Sequence, residues 1–254
     1  MFRRRAKKTP EQEKIKKTRV KKEKVEVNQA NQLWTYNPHS TKPLIHSGQY
    51  YPYENFIVAC FIDPGKVNCG IRICINNLNT DKITTIMQYN FNFMHESFAT
   101  ISGDDRDNVH YSNSIKILSK YLSLFQFCHY IVIERQLKQN YSMIRFSQHL
   151  ISFFLYITRD VGFKPLIVEI DSSLKTRLLG APNFGKDKPA RKKWSVQKAI
   201  EILKNRGEHD YADLIKNLTK ADEHGDCVSM DEVWWKIIFN HKNGIPLPSK
   251  INFE

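Results

Sequence analysis

The sequence predicts an α/β domain built on a mixed five-stranded sheet that is flanked by helices. Short apolar runs bounded by turn residues alternate with longer segments of helical periodicity, in the order three strands, helix, strand, helix, strand and terminal helices. The chain has 254 residues, of which 41% are hydrophobic, so it can bury a substantial core. We therefore expect a domain with helices on both faces of its sheet.

The first three predicted strands are close together in the chain. Residues 56–62 form a continuous apolar run that stops at Asp63-Pro64-Gly65, which is typical of a buried central strand ending in a turn. Residues 70–75 and 83–93 alternate like half-buried strands, and their short connections predict an antiparallel meander. Two later apolar runs predict the fourth and fifth strands: residues 130–133 and 166–170.

Helical periodicity fills the remaining intervals, and residues 171–194 are predicted to form a basic loop after the fifth strand. This order of elements is that of the RNase H-like fold. The predicted helices cover residues 108–125, 141–159, 194–206, 211–218 and 222–240.

The N-terminal segment differs in composition from the rest of the chain. Its first 24 residues hold twelve Lys/Arg and three Glu, a net charge of +9 out of +13 for the whole chain. We expect residues 1–54 to be a basic, disordered tail and connector, residues 55–240 the RNase H-like domain, and residues 241–254 a C-terminal tail. A basic tail suits a nucleic acid partner, and it also suits a solubilising or nuclear import segment.

Five cysteines, odd in number and without a CxxC pair, predict reduced thiols in an intracellular protein, not a disulfide framework or a zinc site. No apolar run approaches the ~20 residues of a membrane helix, so no membrane association is expected.

Acidic residues stand where two predicted strands end. Asp63 follows the first strand and Glu134 follows the fourth, and side chains at the ends of neighbouring strands converge in one crevice of an open sheet. An Asp before Pro-Gly is also a common turn initiator, so Asp63 alone has a structural explanation. Glu134 ends an apolar strand with a charge and lacks such an explanation.

A third acidic group begins the last predicted helix. Asp226 lies three residues after Glu223 and four after Asp222, so these acids lie near one helix face, which continues as an apolar stripe. Helix capping explains one or two of the acids, but not Asp226 on the inner face. We expect His224, between them, to be exposed, and Trp234 to pack in the core.

Carboxylates that share one site repel each other and raise each other's pKa unless a cation neutralises them. An all-oxygen ligand set suits Mg²⁺ or Mn²⁺ and does not suit zinc. Two such ions about 3.5–4 Å apart would stabilise the attacking and leaving oxygens of a phosphodiester displacement. The acids therefore predict a two-metal nuclease.

Three segments, residues 61–70, 131–136 and 222–226, contain motifs that resemble those of a known family. They are similar to the "IDPGxxNxG", "xIExQ" and "DDxxD" motifs of RuvC-like Holliday junction resolvases, in particular those of poxviruses and related large DNA viruses. The similarity runs from residue 56 to residue 239 and leaves out the basic tail.

The resemblance implies that Asp63, Glu134 and Asp226 are catalytic metal ligands for two Mg²⁺ or Mn²⁺ ions. The penultimate acid of the family falls on Glu223, where this sequence has Glu in place of Asp, and the adjacent Asp222 is the alternative. The resemblance also implies that the basic segment after the fifth strand contacts DNA, although a solvated loop is the structural alternative. The implied DNA-binding residues are Lys175, Lys186, Lys188, Arg191, Lys192 and Lys193.

The function implied by the resemblance is that of a magnesium-dependent endonuclease that resolves four-way (Holliday) junctions by paired symmetric nicks. We expect a homodimer, because a junction with near two-fold symmetry needs two sites related by a dyad. The expected place of action is a viral replication site in the cytoplasm or nucleus of a host cell. The alternatives are an RNase H-like nuclease for an RNA–DNA hybrid or a flap, and a catalytically inactive nucleic-acid-binding protein.

Overall fold

The computed structural model describes residues 55–94, 103–160, 164–218 and 220–242; the side chains of residues 103–106 and 237–242 are outside that description. The predicted N-terminal tail and most of the predicted C-terminal tail lie outside the described residues. The strands are β1 (Phe56–Asp63), β2 (Cys69–Asn77), β3 (Lys82–Phe91), β4 (Tyr130–Arg135) and β5 (Leu166–Asp171). The helices are α1 (Gly103–Leu118), α2 (Leu122–Gln126), α3 (Tyr141–Ile157), α4 (Ser172–Leu178), α5 (Lys188–Asn205), α6 (His209–Asn217) and α7 (Asp222–Lys242).

The five strands form one mixed sheet in the order β3-β2-β1-β4-β5. The first three strands form the predicted antiparallel meander, and β4 and β5 run parallel to β1. The predicted mixed five-stranded sheet is thereby confirmed. Because β1 and β4 are parallel neighbours, with Ile62 opposite Ile133, their carboxyl ends lie side by side at one edge of the sheet.

Both faces of the central strands are buried. On one face, side chains of β1 such as Cys60 and Ile62 belong to a core that includes Phe146 and Phe154 of α3. On the other face, the ring of Phe61 meets the ring of Trp235 of α7, with centroids 6.4 Å apart. Trp234 of the same helix is also buried, against Tyr130. The prediction that Trp234 packs in the core is confirmed.

The helices around the sheet depart from the prediction at two places. The helix expected over residues 108–125 begins at Gly103, and a 3₁₀ turn over Ser119–Tyr121 separates α1 from α2. The expected basic loop at residues 171–194 is largely helical, because two aspartates cap helices inside it. Asp171 accepts a hydrogen bond from the Ser173 amide (2.6 Å) and begins α4, and Asp187 accepts one from the Ala190 amide (2.9 Å) and begins α5.

All five cysteines are buried free thiols, as predicted. Burial raises the pKa of Cys60, Cys69, Cys74 and Cys227, which favours the protonated thiols. In the described part of the chain, every helix is too short or too polar to span a bilayer.

Candidate metal centre

Three carboxylates meet at the edge of the sheet where β1 and β4 end. Asp63 is the last residue of β1, Glu134 lies near the end of β4, and Asp226 lies in the first turns of α7. One carboxylate oxygen from each lies within 4.8 Å of the others. We call Asp63, Glu134 and Asp226 the acid cluster. Two of its members belong to their strands and do not follow them, so strand geometry fixes their separation directly.

Two glycines let α7 approach close enough to contribute Asp226. A Cβ on Gly70 of β2 would lie 2.8 Å from the carbonyl oxygen of Glu223, and a Cβ on Gly225 would lie 3.2 Å from the carbonyl oxygen of Ser195 in α5. Any larger residue at Gly70 would push the helix away from the sheet. The hydroxyl of Ser195 donates to Oδ1 of Asp226 at 2.7 Å and orients that carboxylate.

Lys175 of α4 lies inside the acid cluster. Its Nζ donates to Oε2 of Glu134 at 2.6 Å and lies 3.0 Å from Oδ1 of Asp226. The residue is 8% exposed, in contrast to the open basic loop that the sequence indicated. Burial disfavours the charged amine, but Glu134, Asp226 and Asp63 more than offset this and raise the pKa of Lys175 above its usual value.

The carboxylates of the acid cluster carry more negative charge than Lys175 compensates. Burial, followed by repulsion from Glu134, raises the pKa of Asp63 well above its usual range. Burial and the Asp226 carboxylate likewise raise the pKa of Glu134, although Lys175 lowers it. Three acids that face one contacting ammonium among the described residues form an electrostatic site that favours a further cation.

The two acids that the sequence left as alternatives, Asp222 and Glu223, have different surroundings. The carboxylate of Asp222 pairs with Lys192 of α5, and this contact outweighs burial and lowers the pKa of Asp222. Glu223 contributes to the raised pKa of Asp63, and its Oε2 atom is buried without a hydrogen-bond partner in the described structure. Burial also raises the pKa of Glu223. An unpaired buried carboxylate oxygen beside the acid cluster needs a partner.

The other predicted DNA-binding residues form an exposed basic surface. All five side chains are exposed, and the contact of Lys192 with Asp222 shows that the start of α5 adjoins the start of α7, which carries Asp226. The surface therefore borders the acid cluster. It lies on the loop before α5 and on the first two turns of this helix, at Lys186, Lys188, Arg191, Lys192 and Lys193.

Behind the acid cluster lies a second set of charges that sequence reasoning missed. Arg72 of β2 is fully buried, and its guanidinium donates to Asp231 of α7 at 2.9 Å and to Glu208 at 3.0 Å. Arg206 also pairs with Asp231, at 2.6 Å. We call Arg72, Arg206, Glu208 and Asp231 the buried ion network. The signal for it was present in the sequence, as an arginine within an apolar strand and an aspartate within the apolar stripe of the last helix.

His224 connects these two groups, and the prediction that it is exposed was wrong. The side chain is 6% exposed because it faces β3, where its Nδ1 lies 3.2 Å from the amide nitrogen of Gln88. Burial, together with the nearby Arg72 charge, lowers the pKa of His224. The first turn of α7 thus presents Glu223 and Asp226 toward the acid cluster and His224 toward β3.

No family model matches the chain. An uncharacterised protein of Invertebrate iridescent virus 3 is 31% identical over 120 residues, which is 47% of this chain and 54% of the viral protein. The chain therefore matches about half the length of this curated relative.

Solved structures of Holliday junction resolvases have similar folds. The yeast mitochondrial resolvase has a TM-score of 0.52 and 15% identity, over 81% of this chain and 89% of the yeast chain. The fowlpox virus resolvase has a TM-score of 0.48 and 13% identity, over 71% of this chain and 99% of that chain. At these identities the likeness to the yeast protein shows a shared fold, the mixed sheet flanked by helices described above.

Proposed function

We propose that the chain is a divalent-metal-dependent endonuclease that acts on branched DNA, with the four-way junction as its substrate. The observation that carries this proposal is the acid cluster: carboxylates from two parallel strands and one helix converge within 4.8 Å. One ammonium cannot neutralise three carboxylates. A purely structural role does not account for three carboxylates that are held together although they repel each other. Perturbed carboxylates that converge at a strand edge are typical of functional sites.

The residues fit Mg²⁺ or Mn²⁺. The donor set is all oxygen, which these ions prefer, and the cysteines of the domain are buried free thiols and do not belong to it. Asp63, Glu134 and Asp226 would hold the metal, and the buried Oε2 of Glu223, together with the charge of Glu223 near Asp63, supports Glu223 over Asp222 as the fourth ligand. Two bound ions would supply an activated water and stabilise the charge that develops on the phosphate.

The surrounding residues orient the ligands and bind the substrate. Lys175 and Ser195 hold the carboxylates of Glu134 and Asp226 by direct hydrogen bonds, so these ligands are preorganised. The exposed basic surface at the start of α5 neutralises backbone phosphates and sets the DNA beside the acid cluster, without reading its sequence.

The choice of a four-way junction rests on the motifs at residues 61–70, 131–136 and 222–226 together with the fold shared with the yeast resolvase. A junction has near two-fold symmetry, and paired nicks on opposite strands need two acid clusters related by a dyad. We therefore infer that the active form is a homodimer. The relative in an iridescent virus supports a viral setting for this activity.

Strand cleavage of matched synthetic substrates in Mg²⁺ tests the proposal. The substrates are a four-way junction, a flap and an RNA–DNA hybrid, and the proteins are the native chain, Asp63→Asn and the control Asp210→Asn, which changes an exposed acid of α6. We expect paired symmetric nicks in the junction that Asp63→Asn abolishes and Asp210→Asn leaves intact. Preferential cleavage of the hybrid would show that the substrate is an RNA–DNA hybrid and not a four-way junction. Tight binding without cleavage would show that the chain is a nucleic-acid-binding protein and not a nuclease.

A further inference from the structure

We infer that Gln88 is a positioning residue for the acid cluster: its side-chain amide joins Arg72 to His224 and so sets the place of the helical turn that carries Glu223 and Asp226. The inference rests on the proposed metal centre, because it concerns how that centre is assembled. Gln88 lies on β3, directly opposite Arg72 of β2, and is 8% exposed.

The chemistry of the partners fixes the orientation of the Gln88 amide. Its Oε1 accepts a hydrogen bond from Nη1 of Arg72, and a guanidinium has donors alone, so the oxygen must face Arg72. The amide nitrogen then faces His224, 3.2 Å from Nδ1 and 3.4 Å from the backbone carbonyl oxygen. Since an amide nitrogen donates, Nδ1 of His224 is the acceptor and the ring proton sits on Nε2.

Arg72 is a rigid base for this link. It is fully buried, and the remaining nitrogens of its guanidinium contact Asp231 at 2.9 Å and Glu208 at 3.0 Å. A side chain with charged partners on two sides cannot swing without leaving a buried charge unpaired, which is costly. The position of the Arg72 guanidinium on the sheet therefore fixes the position of the Gln88 side chain.

Arg72 and Gln88 contact α7 at two places, and these contacts fix the position of the helix along its axis and its rotation about that axis. Asp231 binds Arg72 directly and His224 binds it through Gln88, and the two residues are seven positions apart, two helical turns or about 10 Å. Apolar packing alone resists sliding and rotation weakly because it is non-directional. Two directional attachments on one face fix both movements, and a small rotation would displace Glu223 and Asp226 from the acid cluster.

A substitution of Gln88 therefore weakens metal binding through the helix and not through loss of a ligand. Gln88→Met keeps the length of the side chain and removes both hydrogen bonds. The matched control is Thr85→Val on the same strand, because the Thr85 hydroxyl donates to Glu208 at 2.6 Å, on the far side of Arg72 from His224. Both variants remove buried hydrogen bonds of the same assembly, but Gln88→Met alone breaks the link to α7.

The experiment is a Mn²⁺ titration of the full chain, followed by electron paramagnetic resonance, with the native protein, Gln88→Met, Thr85→Val and Asp63→Asn. We expect Gln88→Met to raise the Kd for Mn²⁺ by about 10- to 100-fold, the effect of losing a residue that orients metal ligands. Thr85→Val should leave that Kd unchanged. If Gln88→Met does not fold, Gln88→Asn keeps a side-chain amide at this position but is one methylene too short to reach both Arg72 and His224, and it is expected to weaken Mn²⁺ binding in the same way.

The outcomes separate this inference from the proposed function. If Asp63→Asn weakens Mn²⁺ binding while the Gln88 variants bind like Thr85→Val, the metal centre stands and the positioning role is overturned. If the native protein and Asp63→Asn bind Mn²⁺ equally well, the acid cluster is not a metal centre and both conclusions fall.

Discussion

The acid cluster and the buried ion network both join α7 to the sheet, but their charges are arranged in opposite ways. In the buried ion network two guanidiniums, from Arg72 and Arg206, face two carboxylates, from Glu208 and Asp231, and a third acid at its border, Glu232, pairs with both Arg206 and Lys236. In the acid cluster three carboxylates face the ammonium of Lys175. The charges of the first region balance within the protein, whereas the acid cluster has more carboxylates than the ammonium of Lys175 balances.

The two aspartates at the centres of these regions show the consequence. Burial would raise the pKa of Asp231, but Arg206 and Arg72 lower it below its usual value. Burial and the neighbouring Glu134 raise the pKa of Asp63 well above its usual range. Both aspartates are buried, but their pKa values shift in opposite directions because their charged neighbours differ. Charge balance, and not burial, therefore distinguishes the two regions.

The largest expected effect is the loss of cleavage on neutralising one acid of the cluster. Glu134→Gln should reduce the rate of junction cleavage by at least about 10³-fold, equivalent to about 4 kcal/mol of transition-state stabilisation. Its effect on the free energy of unfolding of the metal-free protein should be small, because the relief of repulsion from Asp63 and Asp226 is offset by a weaker bond to the buried Lys175. Single-turnover cleavage and urea unfolding of the same preparation measure the two effects. A variant that cleaves normally but unfolds readily would place Glu134 with the structural charges.

The buried ion network should behave in the converse way. Arg72→Met removes the fully buried guanidinium from Asp231 and Glu208, which keep Arg206 and Thr85 as their other partners, and breaking such a buried pair costs at most about 3–5 kcal/mol of stability. Urea unfolding measures the loss. Adding Asp231→Leu to Arg72→Met should recover part of it, because it removes a carboxylate that has lost its fully buried partner. A double variant as unstable as the sum of both single variants would contradict the pairing.

A smaller effect distinguishes the two acids at the start of α7. Glu223→Gln should weaken Mn²⁺ binding about tenfold, because Glu223 has a buried unpaired oxygen beside the acid cluster. Asp222→Asn removes the ion pair with Lys192 but takes no carboxylate from the acid cluster, and it should leave Mn²⁺ affinity unchanged. Calorimetric titration of both variants with Mn²⁺ tests the difference, and the reverse ranking would assign the fourth ligand to Asp222.

The smallest effect is on the pH dependence of stability. The folded-state pKa of Asp63 is raised above its unfolded value, so the folded protein holds more protons between the two values and loses stability as the pH rises through that window. Without metal, Asp63→Asn should therefore melt at a higher temperature than the native protein at neutral pH. The gap should close as the pH falls toward the unfolded pKa of Asp63. Melting curves in a chelator across that range measure it, and a gap independent of pH would exclude this titration.

The sequence predicted the order of elements along the chain, the sheet class and the acids, because apolar runs that end at Asp63 and Glu134 are local patterns with a direct geometric meaning. It did not predict that Lys175 would be buried. Asp171 and Asp187 are common types of helix N-cap, but the basic composition of residues 171–194 favoured an exposed loop. His224 was misplaced because its partner Gln88 lies 136 residues away in sequence. Contacts between polar residues that are far apart in the sequence produce no periodic pattern from which they could be predicted.

The most direct measurement on the acid cluster is a Mn²⁺ titration of the metal-free protein, read by electron paramagnetic resonance, for the native chain and Asp226→Asn with Asp210→Asn as the exposed control. Saturable binding by the native chain and Asp210→Asn, lost or strongly weakened in Asp226→Asn, is the expected result. Equal binding by all three proteins, or none by the native chain, would contradict the conclusion that Asp63, Glu134 and Asp226 form a metal centre.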